Sequence, residues 1–255
     1  KLSNLLIGSY SCIFHIIDFG TFIFKDKYGI KPLVIGQNNN SYCISSENIV
    51  LNSLNYKTIC NIHNGELIFI KELNNKIKDF FVKIKYIEDN ITYIERPCIF
   101  EWVYMANAES SILDVSVYEA RLNMGIKLGT KISKYLSENN INKNTIDYVI
   151  PVPETSKPCA LGISKKLKIP YIEGIIKNHH IKRTFIMNTQ EKRKANIELK
   201  FNFVEKVLKN KNIILVDDSI VRGNTLSYLV KKLKSIGCNN VYVASCSPPI
   251  KHPNI

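Results

Sequence analysis

Long apolar runs are missing from this chain of 255 residues: no stretch of about 18 apolar residues occurs, so nothing in it reads as a membrane-spanning helix. No secretory leader is visible, and the first residue is Lys1 rather than Met, so the native N-terminus is expected upstream. Paired-cysteine spacing is also lacking. The seven cysteines (12, 43, 60, 98, 159, 238 and 246) form no C-x-x-C or zinc-type pattern, which predicts isolated reduced thiols in a cytoplasmic protein. Acidic residues are the scarce charge, 22 against 35 Lys and Arg, a net charge of +13. That balance admits nucleic-acid binding, an AT-rich codon bias, or a strongly anionic ligand. The excess peaks over 177–211, with ten Lys and Arg against three Glu. An anionic ligand and solvated faces account for it; no nucleic acid is expected, and no membrane.

What is present is concentrated in NIILVDDSIVRGNT (212–225). An apolar run, Ile213 to Val216, ends in two adjacent acids, Asp217 and Asp218. A small loop rich in hydroxyls and glycine follows, and then apolar positions Leu226, Leu229, Val230, Leu233 and Ile236 recur at helical spacing up to Gly237. Val241 to Ala244 resume as a strand. This is a βαβ unit, and open α/β sheets bind ligands at the carboxyl ends of their strands. The acids can accept hydrogen bonds from ribose hydroxyls, and loop amides with a helix N-terminus can take a phosphate. The alternative is a βα connection whose acids face water.

VDDSIVRGNT resembles the phosphoribosyl-pyrophosphate (PRPP) signature of the type I phosphoribosyltransferases, and more narrowly that of the amidophosphoribosyltransferase family. RPCIFEWVYMA (96–106), SVYEARLNMG (116–125), IPVPETS (150–156), KNHHIKRTFIM (177–187) and SPPIKHPN (247–254) match in the same order. FKDKYGIKPLVIG (24–36) resembles the later part of the family's N-terminal-nucleophile (Ntn-type) glutaminase domain.

The resemblance implies an α/β fold with a phosphoribosyltransferase-type parallel sheet flanked by helices at 89–255. At 1–88 it implies the later part of a sheet-rich glutaminase domain. It implies a Mg²⁺-dependent pentosyltransferase that opens de novo purine synthesis from PRPP and glutamine or ammonia. Purine nucleotides as feedback inhibitors and a homo-oligomer are implied with it. The competing reading is a non-enzymatic PRPP-binding regulator.

By the same resemblance, Asp217, Asp218, Ser219, Arg222, Gly223, Asn224 and Thr225 bind PRPP, although Arg222 could equally face solvent. Ser156, Asp217 and Asp218 form the metal site, with Ser156 alternatively a helix N-cap. The segment 177–187 resembles a loop closing over PRPP, and Lys177, His180 and Arg183 are its candidate catalytic residues. His180 stands where the family has tyrosine, and Lys182 where it has glycine. The alternative for His179 and His180 is that they are exposed loop residues. Cys98 matches a cluster-ligand position of some relatives, but Asn254 stands where another such cysteine falls, so no iron–sulfur cluster is expected. The family's nucleophile is an N-terminal cysteine; Lys1 is not one, and Cys12 reads as a core thiol inside a strand.

Elsewhere the pattern predicts a hairpin from 9–17 and 20–24, and short strands at 33–35, 42–45 and 66–70. A boundary is expected near 86–98. Ser116 and Glu119 make a capping box for a helix with an apolar stripe of Val117, Ala120, Met124, Leu128, Ile132 and Tyr135. A strand at 146–150, a helix at 157–167 and a strand at 169–172 follow.

Overall fold

The computed structural model describes residues 5–39, 41–73, 76–85, 94–178 and 199–250. It divides into two compact units, with the division after Val117.

The first unit is built on two antiparallel sheets. Strands β1 (Ser11–Ile16) and β2 (Gly20–Lys25) form the expected hairpin, with Ile16 opposite Gly20. Asp18 and Gly20 take positive φ at its turn. Strands β3 (Val34–Asn38), β4 (Ser41–Ser45) and β5 (Lys57–Asn61) make the second sheet, in the order β4-β3-β5, with helix α1 (Asn48–Ser53) between β4 and β5. Strands β6 (Glu66–Leu73) and β7 (Lys76–Lys85) complete the first, in the order β1-β2-β6-β7. Ile23, Leu33, Ile35, Ile62, Ile68 and Ile70 form the unit's core. Cys12 pairs with Phe24 across the hairpin and is only half-buried, so it is not the enclosed core thiol the sequence suggested.

Asp26 organises the turn after β2. Its buried carboxylate accepts N–H bonds from Tyr28 (2.9 Å) and Ile30 (3.1 Å). The segment after residue 94 docks on that turn. Arg96 N–H donates to Tyr28 O (2.7 Å), Cys98 N–H to Ile30 O (3.0 Å), and Lys31 Nζ to Glu101 (2.9 Å). A π-helical turn (Glu101–Met105) and the short pair β8 (Ser111–Ile112) and β9 (Val115–Ser116) follow. These bonds place 94–117 with the first unit, whereas the sequence put the change of domain at 88/89.

The second unit begins with α2 (Val117–Glu138). Its inner face differs from the predicted stripe: Tyr135 is exposed, while Arg121, Gly125, Gly129 and Leu136 are buried. Glycine occupies that face because helix α3 (Lys157–Leu167) crosses it closely. A Cβ on Gly125 would strike the Cys159 carbonyl, and one on Gly162 would strike the Leu122 carbonyl.

Strands β10 (Tyr148–Pro151), β13 (Ile213–Asp217) and β14 (Val241–Ser245) form a parallel sheet in the order β10-β13-β14. The strand expected at 169–172 is reduced to one parallel bridge between Tyr171 and Val149. Pro170, lacking an N–H, cannot extend that ladder. Alternation along β13 sends Ile214 and Val216 into the core under α2 and α3. Ile213 and Leu215 go to the opposite core, beneath α5 (Asn224–Ile236). Both faces are therefore covered, which is why the strand reads as an unbroken apolar run. An antiparallel pair, β11 (Ile175–Lys177) with β12 (Phe201–Phe203), and the one-turn α4 (Glu205–Leu208) pack on that second face.

The cysteine expectation needs correction at two positions. Cys159, on α3, and Cys246, just past β14, form a disulfide with Cα atoms 6.6 Å apart. Their separation of 87 residues hides this proximity from any spacing pattern.

Candidate functional site

Three parallel strands end together at one edge of the second unit's sheet. Past β10, Val152 N–H donates to Val216 O (2.8 Å), and the loop 152–156 leads into α3. Past β13 come Asp217, Asp218 and the loop to α5. Past β14, Cys246 N–H donates to Asp217 O (2.9 Å) and Ser247 N–H to Asp218 O (2.8 Å). The backbone of the two acids is thus held by a neighbouring strand end.

Their side chains are held as firmly. Asp218 is 8% exposed. Its Oδ2 accepts from the Thr155 hydroxyl and its Oδ1 from Ser219 Oγ (2.7 Å). Asp217 Oδ1 accepts from Asp218 N–H (2.9 Å). Burial pushes Asp217 up to about 6, and the negative charge of Asp218 adds to this. The Asp218 N–H and the Lys200 charge offset only part of that shift. A carboxylate disfavoured in its charged form beside a second carboxylate is a site that gains from a cation.

The loop then rises to its exposed crest, Ile220, Val221 and Arg222. Gly223 sits at the N-cap of α5 with φ 71°, and a Cβ there would meet no atom within 4 Å. Glycine is therefore required for the left-handed backbone rather than for tight packing. It brings no side-chain acceptor to the first-turn N–H groups of α5, which a phosphate can take up. Asn224 and Thr225 form that first turn.

Helix α3 presents a second N-terminus at the same edge. Ser156 occupies its N-cap, as one reading of the sequence had it, but makes no side-chain cap. It is fully buried, and its hydroxyl donates back to Val152 O (2.5 Å). The hydroxyl of this loop that reaches the acids belongs to Thr155, one residue earlier, which the sequence reading passed over. No periodicity distinguishes the two positions; only the turn geometry does. The Pro153–Glu154 peptide in this loop is cis. Lys157 Nζ bridges Glu154 (2.8 Å) and Glu173 (3.1 Å) beside it.

Lys177 closes β11, paired with Phe201 on β12, and Asn178 N–H donates to Lys200 O (2.9 Å). His180 and Arg183 lie outside the described residues. The structure therefore brings together Asp217, Asp218, Ser219 and the Gly223–Thr225 helix start, with Ser156 turned inward.

Among the described residues no group of three or more His, Cys, Asp or Glu side chains forms a metal cage. The donors available, two carboxylates and the Thr155 hydroxyl, are all oxygen. They suit Mg²⁺, which binds through one or two carboxylates, substrate phosphates and retained waters. An apolar cavity of about 350 Å³ between α2 and β14, lined by Leu128, Tyr135, Ile214 and Tyr242 among others, contains neither aspartate.

No described helix is long and apolar enough to cross a membrane. The phosphoribosyl transferase domain model matches residues 115–247. The chain is 38% identical to the amidophosphoribosyltransferase of Escherichia coli over 258 aligned residues, covering 99% of this chain and 48% of that one. It is 40% identical to the amidophosphoribosyltransferase of Schizosaccharomyces pombe, covering 97% of this chain and 48% of that one. It spans about half the length of the curated relatives it matches. Among solved structures, glutamine PRPP amidotransferase from B. subtilis, complexed with ADP and GMP, superposes with a TM-score of 0.80 at 29% identity. That match covers 98% of this chain and 50% of the other.

Proposed function

The chain belongs to the phosphoribosyl transferase domain family, and on that premise we propose that it carries the phosphoribosyl-transfer part of an amidophosphoribosyltransferase, preceded by part of a glutaminase domain. In this reading the whole protein converts PRPP, glutamine and water to 5-phosphoribosylamine, glutamate and pyrophosphate, at the entry to purine nucleotide synthesis. The observation that carries it is the strand-end pair Asp217 and Asp218, the second of them locked against Thr155, followed by a helix whose N-cap is Gly223.

Asp217 and Asp218 receive the ribose hydroxyls and hold the cation, with Thr155 beside them. Bound Mg²⁺ supplies neutralisation of the charge that grows on the departing pyrophosphate. The α3 N-terminus, at the same strand edge, is assigned to that anion in this reading, since N–H groups fixed in advance stabilise developing charge. The 5-phosphate rests on Ser219 and the Gly223–Thr225 helix start. Lys177, His180 and Arg183 are assigned to contacts with the anionic ligand while ammonia attacks C1. Neither Lys1 nor Cys12 is assigned as the glutaminase nucleophile, and no iron–sulfur cluster enters the scheme. The B. subtilis structure names ADP and GMP as its ligands. Feedback control by purine nucleotides, a homo-oligomer and a cytoplasmic location complete the proposal.

The test is Mg–PRPP binding by calorimetry and pyrophosphate release with ammonia as donor, in the whole protein and in Asp218→Asn. The substitution is expected to lower turnover by about a hundredfold or more. Normal kinetics in that variant would remove Asp218 from the site. PRPP binding with no pyrophosphate release in the unmodified protein would instead mark a non-enzymatic regulator.

A further inference from the structure

The Cys159–Cys246 disulfide joins the helix that follows the Thr155 loop to the strand end whose N–H groups hold the backbone of Asp217 and Asp218. Cys159 is the third residue of α3, the helix that starts directly after Thr155 and Ser156. Cys246 is the first residue beyond β14, and its own N–H holds the Asp217 carbonyl (2.9 Å) while the next N–H holds that of Asp218 (2.8 Å). One covalent link therefore runs from the helix behind Thr155 to the backbone that fixes both acids. The Cys159 end cannot give way easily, because Gly125 of α2 lies against its carbonyl with no room for even a Cβ.

The two sulfurs are unequally placed for exchange. Cys159 is 1% exposed, whereas Cys246 is only half-buried. Cys246, the partly exposed end, is the one an incoming thiolate would attack. The electron pair of the broken S–S bond then leaves on Cys159 Sγ, in the first turn of an 11-residue helix, where N–H groups favour a thiolate. A second external thiolate displaces Cys246 from the mixed disulfide, and both protein thiolates take up protons. The balance is two external thiols oxidised to one disulfide and one protein disulfide reduced to two thiols. A low-molecular-weight disulfide drives the reverse.

From this geometry we infer that Cys159 and Cys246 form a thiol-responsive latch on the site: the bonded form holds the Thr155 loop and the Asp217–Asp218 strand end in register, and reduction loosens them. The inference rests on the reading of this site as a Mg–PRPP site and gives that site a form of control. The chemistry agrees with the general pattern that a disulfide in a reducing compartment is a sensing or transient one.

The experiment compares the whole protein equilibrated with oxidised glutathione and with dithiothreitol. Thiol titration and peptide mapping read the Cys159–Cys246 bond, and calorimetry reads Mg–PRPP affinity in each form. The oxidised protein is expected to bind about fivefold or more tightly than the reduced one, a coupling of ordinary allosteric size. Cys246→Ser, at the half-buried end, is expected to bind like the reduced protein and to ignore reductant. Cys159→Ser serves as the second variant. Equal affinity in the two forms, or no bond in the peptide map after oxidation, overturns the latch and leaves the ligand assignment standing. Absence of Mg–PRPP binding in both forms overturns the two together.

Discussion

The Thr155 hydroxyl donates to Asp218 Oδ2, joining the loop before α3 to the end of β13 across 63 residues of sequence. Asp218 is buried and takes its other side-chain bond from Ser219, so Thr155 sets which way the carboxylate points. Thr155→Ala is expected to weaken Mg–PRPP binding by about tenfold, since bonds to charged groups are worth roughly 1.5–3 kcal/mol. Thr155→Ser keeps the hydroxyl and is expected to restore most of it. Calorimetry on both variants checks this; equal loss in the two would mean that the methyl group, not the bond, matters.

Ser156 should behave in the opposite way. Its hydroxyl is spent on Val152 O inside the loop. Ser156→Ala is expected to cost about 1 kcal/mol of stability, the value of one buried hydrogen bond. Its Mg–PRPP affinity should stay within about twofold of the parent, a change of under ~0.5 kcal/mol. A loss of affinity matching that of Thr155→Ala would return Ser156 to the metal site.

Much of this site was legible before the fold was known. The apolar run of β13, the acids at its end and the glycine before α5 are local in sequence and each follows from a single periodicity or turn requirement. What was not legible depends on a second element. Thr155 differs from Ser156 only by which residue the loop turns outward. Cys159 and Cys246 meet only because α3 starts beside the end of β14. The inner face of α2 carries Gly125 and Gly129 because α3 presses against it, and a hydrophobic stripe cannot reveal a face whose packing requires the absence of side chains.

Asp217 predicts a pH-dependent stability. Its proton is held up to about 6 in the folded protein, mainly by burial, against an ordinary value of 3.8. The folded state therefore binds more protons between those values, and stability falls as pH rises from 4 to 6 and stays lowered above it. Asp217→Asn should remove this slope. Partial exposure limits its gain above pH 6 to about 2 kcal/mol, even as ligand affinity drops. Urea denaturation at pH 5 and pH 8 measures both; a variant less stable than the parent at pH 8 contradicts the assignment.

The contact between α2 and α3 is equally testable. Gly162→Ala places a methyl against the Leu122 backbone, which cannot rotate away as a side chain would. The helices must separate, at a cost of about 1–3 kcal/mol of overpacking. Gly129→Ala meets the Lys166 Cβ and Cγ at 2.9 and 3.0 Å, the root of that side chain rather than its mobile end, and should cost about 1 kcal/mol, less than Gly162→Ala because no backbone carbonyl is struck. Thermal melts of the pair test whether backbone contact, rather than glycine itself, sets the sensitivity.

Gly223 separates backbone requirement from ligand contact. With φ at 71°, Gly223→Ala is strained by about 1–2 kcal/mol even though its Cβ meets open space. That open space is where the proposed 5-phosphate lies, so the same methyl also obstructs the ligand. Affinity for Mg–PRPP should therefore fall by more than the stability loss alone would give, beyond about tenfold, because a folded variant still carries the obstruction. Gly237, at the other end of α5 with φ 101°, is the matched control. Gly237→Ala should lose comparable stability with little change in affinity. If the two variants lose affinity alike, the effect travels through the helix, and the phosphate does not sit at its start.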